Sequence, residues 1–481
     1  MLGCSFYIDI ASAQSEWKQV YSLPFDSYST NVNELYDGGY LIGGSIRTGY
    51  DPPFLGYVIK TDINGNKLWT KVIDGFRGSA FITINNTSDN GFIAGGQYNT
   101  SMNHYDAYIM KFNFCAEPQW CLFIQDSVYS SCIEELIVET QDGGYFVKRD
   151  LQTMDDVYRW SIVKLRSDGE IEWINKYIVN NPDWAHGTQI DLRSTLTSDT
   201  CLLVCGNIYD TVFFETGGWC MMPHWYKVNK NGQLLWETKW QLSESQFSGD
   251  SHQIIEDSNG NYYASGQMYP PFGFPYLFKL QHNGDTIASY RVVDHPDALG
   301  GKMQTIDFID DNTILTGTQF GLTTKDNWWS LTIVDTLGNR KSGVYEEEWS
   351  VITDCLITHD NKIIMMQQEL SPNGTLPYEW ISLRKYNTML EYDSIYTAPR
   401  TYDSLCPHSI TSDTIPMPGI CRYVDIPDPV PTGDVLRLRI YPNPAAKYVT
   451  VEIPEFSATI TRVNTMSQQQ YRPLKGEVEL S

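Results

Sequence analysis

The sequence has no run approaching the ~18 apolar residues of a membrane-spanning helix, so no transmembrane segment is expected. Charged residues are few, at 19%, and mostly of one sign: 34 Lys and Arg stand against 58 Asp and Glu, a formal charge of −24. No Lys/Arg cluster offsets that field locally. A phosphate backbone is repelled, which excludes a nucleic-acid partner, and the acidity reads as solubility. No CxxC pair and no zinc-type Cys/His spacing occurs, and no metal or other cofactor is expected. HExxH, GxSxG and P-loop motifs are absent. The eight His are scattered, with His224 among Met and Trp and His252 near Asp250, settings where imidazole is more often a core or loop donor than a base. The stretch 62–66, DINGN, resembles a calcium loop, but Lys67 stands where that loop needs Gly and Ile73 where it needs Glu, so it reads as a hairpin. Asp155 with Asp156, and Glu346 to Glu348, read as solvated loop charges. No catalytic residue is assigned.

Aromatics are plentiful, with 31 Tyr and 14 Trp, the composition of a packed chain rather than a disordered one. The dominant signal is internal repetition. Asp37-Gly38-Gly39 precedes YLIGGS, Asp89-Asn90-Gly91 precedes FIAGGQ, and Asp142-Gly143-Gly144 precedes YFVKRD. Asp199-Thr200 precedes CLLVCGN, Asn259-Gly260-Asn261 precedes YYASGQ, Asp311-Asn312 precedes TILTGTQ and Asp360-Asn361 precedes KIIMMQQ, making seven copies. A second phrase follows each, such as YVIKTDINGNKLW or SIVKLRSDGEIEW, with Trp at Trp69, Trp120, Trp173 and Trp236.

Asn-Gly and Asp-Gly supply the φ > 0 positions of tight hairpins, and the β-branched and aromatic flanks suit strands. Each repeat therefore has four strands in meander order. One such sheet cannot bury both faces, whereas sheets stacked radially can, and most of their edges are protected. The expected fold is all-β, a seven-bladed β-propeller over residues 14–396. An additional strand, from Glu16 to Tyr21, is placed to pair with the last blade and close the ring. The array resembles the propeller-type repeats of large bacterial secreted proteins, without the Gly-His and Trp-Asp signatures of WD40 blades.

Ala11-Ser12-Ala13 before Gln14 has the form of a signal cleavage site, but no basic region precedes it and Asp9 interrupts the apolar stretch, so residues 1–13 are expected to be a remnant signal peptide. Among the ten Cys, Cys201 and Cys205 fall roughly 13 Å apart on a strand, too far to bridge each other. Cys115 with Cys121, and Cys406 with Cys421, are the pairs expected to close loops. The rest read as buried thiols. Residues 397–433 are rich in Pro, Ser, Thr and Asp and read as an extended linker.

Beyond it, Tyr441-Pro442-Asn443-Pro444 followed by YVTVEI resembles the type A sorting domain of type IX secretion cargo in Bacteroidetes-like bacteria. The two prolines fix φ and force a turn between strands. The resemblance implies a small β-sandwich at 434–481, export to the outside or outer-membrane surface, and the type IX secretion machinery as partner. The family continues past the equivalent of Leu480-Ser481, so the domain is expected to be incomplete.

The loops between second and third strands are long and aromatic, as in NIYDTVFFETGGWCMMPHWY and QMYPPFGFPY. Long loops gathered on one face of a rigid ring are where binding usually resides. Phe213, Phe214, Trp219, Trp225, Tyr269, Phe272, Phe274 and Trp328 form the expected ligand-facing set, for a glycan or protein ligand. The alternative is a secreted hydrolase or lyase whose site is assembled from several blades in the central funnel, which would leave no local motif.

Overall fold

The Asp/Gly turns and apolar runs of the repeat fold into strands throughout. The computed structural model describes residues 17–426 except 24–25, 48–53, 75–79, 102–103, 127–129, 133–136, 153–157, 178–193, 211–219, 241–247, 270–272, 293–300, 321–327, 347–349, 371–377 and 417–420; beyond these it describes 440–441 and 450–451. Seven antiparallel meander sheets follow one another. Blade one comprises Asp26–Glu34, Tyr40–Arg47, Phe54–Thr61 and Lys67–Asp74; blade two Ala80–Asn86, Phe92–Ser101, His104–Phe112 and Pro118–Asp126. In blade three Ser130–Cys132 and Ile137–Glu139 both pair with Tyr145–Gln152, which is followed by Tyr158–Leu165 and Ile171–Tyr177. Blade four comprises Thr195–Leu196, Leu202–Asp210, Cys220–Val228 and Leu234–Lys239; blade five Ser248–Glu256, Tyr262–Tyr269, Phe274–Leu280 and Thr286–Arg291. Blade six comprises Gly301–Asp310, Thr313–Phe320, Trp328–Asp335 and Arg340–Glu346. Blade seven has Ser350–Ile357, Ile363–Leu370 and Tyr378–Tyr386, and takes its outer strand, Lys18–Ser22, from the other end of the chain. The ring thus closes with the strand anticipated for that role.

The apolar clusters lie between blades. Tyr263, Leu277 and Ile306 join blades five and six, and Tyr40, Ile59 and Ile381 join seven and one. The first strand of each blade is a sheet edge, so alternate backbone amides lack a partner within the sheet. Side chains of the preceding blade take them. Ile84 N donates to Asn31 Oδ1 (3.0 Å), Ser251 N to Asn207 Oδ1 (2.7 Å), Ile306 N to Gln253 Oε1 (3.0 Å) and Val32 N to Asp354 Oδ2 (2.8 Å). Five of these strands carry a bulge at the same place, between Ser29 and Asn31, Phe81 and Thr83, Ser251 and Gln253, Met303 and Thr305, and Ile352 and Asp354. The bulge brings the first strand against the second, which explains the recurrent Gly-Gly. A Cβ on Gly44 would lie 2.0 Å from the Tyr28 carbonyl oxygen, and one on Gly96 1.8 Å from that of Ala80.

At several junctions a latch joins an outer strand to the next blade. The Trp120 indole covers Gly169 and donates to Ser167 O (3.1 Å); Trp236 covers Gly284 and donates to His282 O (3.2 Å). At the closure, Trp17 covers Gly65, and Tyr21 donates its hydroxyl to Gly65 O (2.7 Å). The hairpin at 62–66 is held by Asp62 Oδ1, which accepts from the amides of Asn64 and Asn66 (both 2.8 Å).

The turn aspartates are locked by a Lys on the third strand: Lys111 to Asp89 (2.8 Å), Lys164 to Asp142 (2.9 Å) and Lys227 to Asp199 (2.7 Å). Burial pushes the Asp142 carboxyl up, but the Thr140 hydroxyl, the Lys164 ammonium and the Gly144 amide outweigh it and bring it down to about 2. Asp89, Asp199 and Asp360 are lowered in the same way, burial again opposed by stronger donors. A carboxyl depressed by folding contributes stability that is present above its unfolded pKa, near 4, and lost as pH falls through the folded one. The melting temperature is therefore expected to fall between about pH 4 and pH 2, and Asp142→Asn to remove part of that slope. A melting temperature constant across this window would contradict the lock.

Residues 397–426 depart from the extended linker expected of their composition. The backbones of Tyr396 and Ile63 bond to Asn64 and to the Tyr402 hydroxyl, and Trp69 Nε1 donates to Asp403 (3.1 Å). Asp413–Pro416 then runs parallel to Lys67–Asp74 as a fifth strand of blade one, and Cys421–Ile426 flanks Pro118–Asp126 of blade two. The disulfides also differ from expectation. Cys115 joins Cys406 and Cys121 joins Cys421, so both staple the segment to blade two rather than closing short loops. Composition underweights such a strap because few apolar side chains hold it: Ile415, partly Ile410, and Tyr423 stacked on Phe123 (4.9 Å). Cys201, Cys205 and Cys355 are buried. Residues 426–481 form a separate unit, in which Ile440–Tyr441 pairs antiparallel with Thr450–Val451.

Candidate functional site

In a meander blade, the end of the second strand, the start of the third, the end of the fourth and the start of the first meet at one end of the sheet. In blade five this end holds Tyr269 and Phe274. The registers pair Ser248 with Tyr269 and Met268 with Phe274. Gly273 between them lets the loop close up: a Cβ there would lie 3.0 Å from the Tyr269 ring. Gly301, the first residue of blade six, donates its amide to Gly273 O (2.7 Å) and lies against the Phe320 ring. Phe320 in turn pairs with Trp328. This chain of contacts brings three of the expected residues, Tyr269, Phe274 and Trp328, to one end of neighbouring blades, all half-buried.

Trp225 is a correction to the expected set. It is fully buried between blades four and five, packed on Phe278, with its indole N–H donated to Ser251 Oγ (3.0 Å), and it supports the core rather than facing a ligand. It stands mid-strand in a blade packed on both faces, where its neighbours His224 and Tyr226 are buried as well. Phe213, Phe214, Trp219 and Phe272 lie outside the described residues, as do Pro442, Asn443 and Pro444; Tyr441 belongs to the two-residue strand above.

Two cations accompany the aromatics. Exposed Arg291, at the end of the fourth strand, places its guanidinium 3.6 Å from the centroid of the Phe274 ring. Lys302 follows Gly301 and is half-buried. Neither stands in an aromatic loop, where the sequence search looked. The signal was available in their position, since both flank the connection between blades five and six on the loop face.

Behind this end lies a buried polar cluster. Asp250 accepts from the Gln267 amide nitrogens, backbone at 3.2 Å and side chain at 2.8 Å, and faces His252 Nε2 at 2.8 Å. The Gln267 side chain also donates to the Tyr269 hydroxyl. Burial pushes the Asp250 carboxyl up, yet His252, Lys302 and Gln267 together hold it below the usual carboxylate range. Burial, with Asp250 beside it, pushes the Tyr269 phenol up to about 12. His224, one blade earlier, sets Nε2 2.9 Å from Glu237 and its ring edge-on to Tyr226; burial pushes its imidazole down. Both histidines are sealed inside the blades, His252 at 0% and His224 at 1% exposure, and neither meets solvent where a substrate would lie.

No protein-family model matches the chain, and no curated protein matches it significantly. Solved structures are similar in fold. A protein of unknown function from Dyadobacter fermentans is 10% identical with a TM-score of 0.45, over 78% of this chain and 98% of that one. The polysaccharide lyase Uly1 is 10% identical with a TM-score of 0.46, over 76% and 91%. The α-L-arabinanase of Penicillium chrysogenum, solved with arabinobiose, is 9% identical with a TM-score of 0.44, over 76% and 94%. Among the described residues no helix is long and apolar enough to cross a membrane, and no group of three or more His, Cys, Asp or Glu is arranged to hold a metal.

Proposed function

We propose that this chain is an exported binding module, whose propeller takes a glycan or protein ligand at the blade five and six end of the loop face. The observation that carries the reading is the convergence there of half-buried Tyr269, Phe274 and Trp328 with Arg291 and Lys302. Rigid aromatics offer contact area at low entropic cost, and the cations supply direction. Burial of both nearby histidines favours binding over turnover at this end. Two disulfides support an oxidising, extracytoplasmic destination, since such bonds persist there and are rare in the cytosol.

A mixed glycan and peptide array tests the site. Tyr269→Ala and Trp328→Ala are expected to weaken an array ligand about tenfold or more, the effect of a hot-spot residue, while the melting temperature holds. Unchanged affinity in both variants, or turnover of the ligand, overturns the reading. Export through the type IX machinery by way of Tyr441, Pro442, Asn443 and Pro444 completes the proposal, resting on the motif and on the pairing of Ile440–Tyr441 with Thr450–Val451. In a host carrying that machinery, Tyr441→Ala with Asn443→Ala is expected to deplete the surface fraction. Equal surface levels for variant and parent chain remove the sorting assignment.

A further inference from the structure

Most ionic groups of this fold are spent on structure, the Asp/Lys turn locks and the buried Asp250–His252 pair among them. Arg291 is placed differently, stacked on Phe274, and Lys302, which also lowers the buried Asp250 carboxyl, stands at the same end. The chain carries −24 overall, yet this end holds an exposed Arg291 and a half-buried Lys302. Asp250, the carboxylate whose field Lys302 shares, is buried and bonded to Gln267 and His252, which leaves it little able to compete with an incoming anion for the cations. Stacking on Phe274 fixes the plane of the Arg291 guanidinium before any ligand arrives. A fixed guanidinium fork matches a planar carboxylate through two parallel hydrogen bonds, a geometry that a point charge does not reproduce. Tyr269 and Trp328, half-buried at the same end of blades five and six, supply rings on which the C–H face of a pyranose can rest.

We infer that the ligand of this end is a saccharide bearing carboxylates, a uronic-acid glycan, with Arg291 taking the carboxylate, Lys302 adding charge, and Tyr269 and Trp328 stacking on the ring. The inference rests on the binding reading above and narrows it to one class. Acidic peptides and sulfated sugars share the charge but not the combination of planar fork and stacked ring.

The experiment is calorimetric titration of the full chain with uronate-rich oligosaccharides, chiefly oligogalacturonates, and with their methyl esters, which keep the ring and remove the charge. Sulfated oligosaccharides and oligoglutamate complete the panel. The expected result is binding of the free acid at least tenfold tighter than the ester. Arg291→Gln should lower that affinity at least tenfold, with Arg291→Lys restoring less than half of the loss in free energy, and Lys302→Gln should reduce its salt dependence. Melting temperatures of the variants separate lost binding from lost folding. Equal binding of acid and ester overturns the uronate assignment while the binding site stands, as does tight binding of only oligoglutamate or only sulfated sugar that Tyr269→Ala abolishes. Failure of every probe to bind overturns the uronate assignment; the site itself is then judged by the array.

Discussion

Replacing Trp17 with Ala is expected to destabilise the propeller by about 3–5 kcal/mol, the usual cost of truncating a buried large aromatic. Trp17 is 1% exposed and covers Gly65 at the one junction where the ring is closed by strands from opposite ends of the chain. Gly65 has φ 75°, and a Cβ there would meet the Gln19 side chain at 2.6 Å and the Trp17 ring at 2.8 Å. Gly65→Val should therefore cost about 2–4 kcal/mol from left-handed backbone strain and overpacking. The two residues touch, so their effects should couple: the double variant should be less damaged than the sum, by about 0.5–3 kcal/mol. Chemical denaturation of the four proteins reads the coupling. Strict additivity would show that Trp17 and Gly65 do not form one latch.

Cys406→Ser with Cys421→Ser should lower the unfolding free energy by about 3–5 kcal/mol, most of it on loss of the second bridge, because the loops overlap and either bridge alone still closes nearly the same loop. The bridges join residues 291 and 300 positions apart, near the long end of the range in which cross-links restrict the unfolded chain. Hydrogen exchange should quicken in Lys67–Asp74 and Pro118–Asp126, the outer strands beneath the strap, and stay slow in blades four to six. Unaltered exchange in those two strands would mean that the strap is held by its ion pairs, Lys71 to Asp413 (2.7 Å) among them, and not by the disulfides.

The blade count and the closing strand were legible because they depend on features a sequence displays directly: turn glycines, strand periodicity and the recurrence of both. The latch Trp residues were visible as a repeat, although their partners, the turn glycines of the following blade, belong to another unit and only stacking reveals them. The strap was not legible. Its strands are short, Asp413–Pro416 holds only Ile415 as a buried apolar residue, and its cysteines pair with others some 300 residues away. Among the expected ligand residues, place along the strand decided the outcome. Trp225 falls mid-strand in a blade packed on both faces, whereas Tyr269, Phe274 and Trp328 stand at strand ends, where a side chain can be partly exposed.

The closing strand also dictates an order of events during synthesis. Lys18–Ser22 leaves the ribosome early, yet its partners, from Trp380 to Arg384, are made near the end of the array. Until then it is an unpaired edge with an amphipathic face, the kind of segment that finds wrong partners in a growing chain. The interior blades are built from local hairpins and have no such wait, so they can assemble in sequence. Ring closure is the slow, long-range step. A chain interrupted before residue 380 would carry folded blades and no completed wheel, and would be the species that chaperones must shield.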